Sequence, residues 1–150
     1  MISTAGWWRT TVGTILGGAA GLLLVVPAGL LLGILVSSEG IEALPYGYVG
    51  AIVGPLIGAI WAAYSTPSPR GDSGRKPAAA TSAAFALGLT VGAWTEYSNA
   101  APLFAGDSFL LAFAWPWATG ATLVFLAAVL RQALTYLAAP DDSDGGRRMP

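Results

Sequence analysis

Four long apolar stretches, parted by short polar ones, account for most of this chain. Between Thr10 and Ser38 there are 29 residues without a charge. At about 1.5 Å per helical residue that is more than a hydrocarbon core of about 30 Å requires. Three further apolar runs follow, over Tyr46–Ser65, Pro77–Thr95 and Ser108–Leu130. The pattern predicts an all-α polytopic membrane protein of four transmembrane helices, spanning about 10–36, 46–65, 77–95 and 108–131, the last able to run on to Leu137. Residues 1–139 form one domain on this reading, and the polar tail 140–150, with no apolar periodicity, is expected to be disordered.

The punctuation between the runs fits helices. Ser3 or Thr4 is placed to cap the first helix, Gly40 to stop it, and Pro45 to open the second at its first turn. Thr66-Pro-Ser-Pro69 closes the second helix, Pro77 opens the third, and Asp107 or Ser108 caps the fourth. Pro27 and Pro116 fall inside runs, where each removes a backbone donor and is expected to bend its helix. The first run is too long for the apolar segment of a signal peptide, which is about 7 to 15 residues.

Small residues recur within the runs at every fourth position. Gly50, Gly54 and Gly58 form one ladder; Gly13, Gly17 and Gly21 form a second, resumed by Gly29 and Gly33; Ala80, Ala84, Gly88 and Gly92 form a third. Such stripes let helices approach closely where no hydrophobic effect drives them together. The expectation is a compact, glycine-rich bundle in which the second helix packs on the first with a right-handed crossing near -40°. Ile52, Leu56 and Ile60, opposite the second ladder, would then meet lipid or another subunit. In this spacing the chain resembles glycine-zipper membrane proteins.

Charge refines the picture. Only 10% of the 150 residues are charged, against about 25% in a soluble domain. All seven basic residues, Arg9, Arg70, Arg75, Lys76, Arg131, Arg147 and Arg148, fall on one side of a four-span topology, whereas Glu39, Glu42, Glu96 and Asp107 fall on the other. The positive-inside rule then predicts a multi-pass protein of the cell membrane with both termini in the cytoplasm.

With no cysteine and no histidine, thiolate nucleophiles, iron–sulfur ligation and histidine-centred acid–base or zinc chemistry are absent. No residue is assigned a catalytic, cofactor-binding or metal-binding role, and the chain is not read as an enzyme. A net charge of -1 offers no surface to nucleic acid. In size and helix count the chain resembles the small multidrug transporters of four membrane helices, but it has no carboxylate in its first helix. No ionisable residue lies within the spans as predicted, and transport coupled to protons normally needs one.

Two features stand out as candidate functional elements. Glu96, two residues beyond Trp94 at the membrane edge, is the carboxylate expected to be partly buried. Trp115-Pro116-Trp117 sits deep in the fourth run, its two indoles directed to nearly opposite faces, one over the glycine faces and the other toward lipid or a partner. The functional expectation is a structural or accessory membrane component acting through helix–helix contacts. The alternative is a small oligomeric channel or facilitator without proton coupling. The expected partners are the bilayer and either a second copy or another membrane protein.

Overall fold

The computed structural model describes residues 4–36, 43–66, 75–98 and 109–138, and these form four helices. They are α1 (Thr4–Val36), α2 (Leu44–Ser65), α3 (Arg75–Ser98) and α4 (Phe109–Leu137). All four are long and apolar enough to cross a membrane. Glu39, Glu42, Asp107, the caps assigned to Ser3, Gly40 and Ser108, and the tail from Pro140 lie outside the described residues.

α1 starts at Thr4 and α4 runs on to Leu137, both as the sequence allows, whereas α3 overruns its predicted run at both ends. Nothing between Thr4 and Thr10 breaks a helix, so α1 takes in Trp7, Trp8 and Arg9. α3 begins at Arg75 with Pro77 in its first turn, where a missing N–H costs nothing, and its last turns take in Glu96. α4 runs through Arg131 to Leu137. The expectation of spans free of ionisable side chains is corrected accordingly, since the helices as folded contain Arg9, Arg75, Lys76, Glu96 and Arg131. α2 begins with proline in its first turn, and at its end both the backbone N–H of Thr66 (3.1 Å) and its hydroxyl (2.8 Å) donate to the carbonyl of Ala62.

Glycine contacts define the topology. Cβ atoms built on Gly17 and Gly58 would each collide with the other's backbone, as would those on Gly21 and Gly54. Gly50 faces the backbone of Val25, Gly29 that of Tyr46, and Gly33 that of Ala43. Residue numbers rise along α1 as they fall along α2, so the two form an antiparallel hairpin in contact along nearly all of α2. A four-residue stripe drifts by about 40° per step around a helix of 3.6 residues per turn.

α3 and α4 form a second antiparallel hairpin. Gly88 abuts Thr119 and Gly120, Gly92 abuts Pro116 and Thr119, and Gly120 meets Phe85. Here the predicted stripe breaks: Ala80 is exposed and Ala84 half-buried. Three steps of about 40° carry Ala80 away from α4. The buried positions instead follow the helical period, through Ala78, Thr81, Phe85, Gly88, Gly92 and Glu96.

The hairpins close on a small core of Ala59, Phe85, Leu89 and Val124, flanked by Ile52, Leu56, Ala84 and Trp117. Ile52 and Leu56 therefore face inward, contrary to the expectation that they meet lipid. A bundle helix has two neighbours; the glycine face of α2 serves α1, and the Ile52–Leu56 side serves the core. Its outward face carries Val49, Val53, Ile57, Ile60, Trp61 and Tyr64.

Parallel contacts of α1 with α3, through Thr14 and Thr81 and through Gly18 and Phe85, fix the relative direction of the hairpins. The proximal end of the bundle holds the starts of α1 and α3, and the distal end holds the starts of α2 and α4.

Candidate functional site

The distal end contains the most unusual polar group. Glu96 is 1% exposed, and neither Oε1 nor Oε2 has a hydrogen-bond partner. Its burial follows from the period of α3, which places it one turn beyond Gly92 on the face that Gly92 presses against Pro116 and Thr119 of α4. From α2, the half-buried Tyr48 comes within electrostatic reach of Glu96, but its hydroxyl donates to the carbonyl of Ala93 at 3.4 Å.

The tryptophan pair of α4 divides as its spacing implies. Trp115 is 47% exposed and its indole N–H donates to the Thr95 hydroxyl at 3.0 Å, beside Glu96 in sequence. Trp117 turns inward onto the core and lies beside Gly18. Its N–H donates at 3.2 Å to the carbonyl of Ile15 on α1, which joins the two hairpins by a polar contact. Pro116 between them is fully buried.

The proximal end holds a group that the sequence reading did not pick out. Thr10, Thr11, Thr14, Thr81 and Ser82 are all buried. The Thr14 hydroxyl lies 3.3 Å from that of Thr81 and donates to the carbonyl of Thr10 at 2.7 Å, while Thr81 donates to the carbonyl of Pro77 at 2.9 Å. Bonds of this kind, back to the preceding turn, let hydroxyls sit in apolar surroundings. Thr11 and Ser82 have no partner. The signal was present in Thr10-Thr11 and Thr14, three and four residues apart, opposite Thr81-Ser82; small polar residues in a run of alanines read only as weak hydrophobicity.

At the same end, the Arg131 guanidinium stacks 3.6 Å from the centroid of the Trp7 ring, and Trp8 donates to Gln132 Oε1 at 3.0 Å. Trp8 also meets Phe125 edge-on, with ring centroids 5.9 Å apart. The start of α1 is thus tied to the last third of α4, and Arg131 is tolerated within a helix because an aromatic face receives its charge.

Of the sequence-chosen residues, Gly13, Gly17, Gly21, Gly29, Gly33, Gly50, Gly54 and Gly58 come together in the α1–α2 seam, and Gly88 and Gly92 in the α3–α4 seam. Gly13 is the loosest, meeting only the Thr66 hydroxyl at 3.0 Å and the Ala62 carbonyl at 3.9 Å. Among the described residues, no three side chains of metal-ligating type cluster. Comparison with known proteins returns no match to a family model, a curated protein or a solved structure.

Proposed function

We propose that the chain is a structural or accessory component of the cell membrane, inserted with both termini in the cytoplasm, so that the distal end faces outward. The support for the orientation is the sequence distribution of the seven basic residues, all of which fall on one side of a four-span topology. The observation that carries the functional reading is how the small residues are used. The glycine seams are consumed inside the two hairpins, and the space between the hairpins is filled by Phe85, Leu89 and Val124. Filling of that kind supports a packing role for the bundle over a conducting one. What the bundle presents outward is a broad apolar perimeter, including Leu23, Leu24, Leu31, Leu32 and Leu35 of α1. Such a perimeter suits a protein that works by where it sits and what it sits beside.

The test is functional and direct. Purified protein reconstituted in liposomes should leave the permeability to small neutral and ionic solutes at the level of protein-free vesicles, whereas crosslinking in native membranes should trap a defined membrane-protein neighbour or a second copy. Reproducible solute flux that scales with protein content would overturn the reading in favour of an oligomeric facilitator.

A further inference from the structure

We propose that Glu96 is a proton-binding site at the distal end of the bundle, and that α2 packs against α3 there only while the proton is held. The reasoning starts from what surrounds the carboxyl group. It is 1% exposed, and neither oxygen has a hydrogen-bond partner among the described residues. Two donors on the neighbouring helices are engaged elsewhere: Tyr48 donates to Ala93 and the Trp115 indole to Thr95. A dry carboxylate without donors or a counter-ion costs several kcal/mol, and some positive charge has to offset it.

Among the described residues, none supplies that charge at the distal end. The described part of α1 contains one ionisable side chain, Arg9, at the proximal end. α2 contains none except its tyrosines, of which Tyr48 is the one that faces Glu96. In α4 the one charged residue is Arg131, fifteen positions beyond Pro116 and hence about 22 Å along the axis. α3 itself offers Arg75 and Lys76, both at its opposite end. Nor is there a cluster of three ligating side chains among the described residues to hold a metal ion. A proton needs no such ligand set. It binds one carboxyl oxygen and turns the group into a neutral acid that an apolar contact accepts.

The site binds without conducting. Between Glu96 and the proximal hydroxyls stand Phe85, Leu89 and Val124, and the described interior holds no second carboxylate to relay a proton. The consequence is a coupling between pH on the distal side and helix packing. Unfolded, the side chain lies in water and ionises above about pH 4.3. Folded, it must carry its proton. Raising the pH above that value therefore favours the unfolded or locally opened form, by up to about tenfold in the equilibrium per pH unit.

Infrared spectroscopy of the full chain in detergent tests this. Carboxyl groups in water are ionised at neutral pH, so the wild-type protein should show the carbonyl stretch of one neutral carboxylic acid, absent from Glu96→Gln and unaffected by added sodium chloride. The wild type should lose thermal stability between pH 5 and pH 9 while Glu96→Gln, which keeps the shape and needs no proton, changes much less. Absence of the neutral-acid band from the wild type at neutral pH would overturn the proposal, as would its survival in Glu96→Gln or its loss on adding sodium. The wild-type band is read without any variant, so a failure of Glu96→Gln to fold would not shield the proposal.

Discussion

Replacing Gly54 with alanine puts one methyl group where α1 and α2 have no room for it. A Cβ built on Gly54 lies 2.5 Å from the carbonyl oxygen of Gly21 and 2.8 Å from Cβ of Val25, whereas ordinary contact begins at 3.4 Å. The seam must open by about 0.9 Å, because the first obstacle is backbone and cannot rotate aside. A gap of about 0.5–1 Å forfeits a quarter to a half of each dispersion contact, itself about 0.1–0.2 kcal/mol. Over on the order of 30 atom pairs along the contact, the loss is about 1–2 kcal/mol. Overpacking of a close contact costs about 1–3 kcal/mol in general. Gly13→Ala provides the control, since its methyl meets chiefly a hydroxyl at the end of the Thr66 side chain and it takes the same gain in helix propensity, about 0.8–1.0 kcal/mol in water. Gly54→Ala should therefore be less stable than Gly13→Ala by about 1–3 kcal/mol, with Gly54→Leu worse. The measurement is thermal unfolding or aggregation of the purified variants in one detergent, where the two should separate by several degrees. Equal midpoints, or a less stable Gly13→Ala, would refute the packing argument and mean that the Gly54 face is open.

Two further outcomes are expected. Trp117→Phe keeps most of the ring but removes the donor to the Ile15 carbonyl, and should cost about 0.5–1.5 kcal/mol; Trp115→Phe, at a half-exposed site, should cost less, and reversal of that order in the same unfolding assay would contradict the inward placement of Trp117. Reporter fusions after Lys76 and after Gly145 should read as cytoplasmic, and fusions within Glu39 to Leu44 or Asn99 to Gly106 as external, so an external signal after Lys76 would reverse the orientation.

The number and approximate extent of the helices were legible from the chain alone, because a charge-free run long enough to cross a bilayer is a local property that no packing is needed to reveal. So was the division of labour in Trp115-Pro116-Trp117: two side chains separated by two residues on a helix point about 200° apart wherever the helix lies. The four-residue glycine spacing likewise pointed to where two helices could come close. Which surfaces those faces met was a tertiary decision. Ile52 and Leu56 lie opposite glycine in the sequence pattern, yet the arrival of the second hairpin makes their side of α2 interior. Ala80 shares the spacing of Gly88 and Gly92, but the drift of a four-residue stripe around the helix leaves it exposed. That the fourth helix could pass Arg131 and reach Leu137 was legible, but that Trp7, from the other end of the chain, covers its guanidinium was not. Glu96 shows the division most clearly. Its place near the end of the third apolar run was local information, but the burial of both of its oxygens depends on what packs around that end of α3, which the sequence of α3 does not carry by itself.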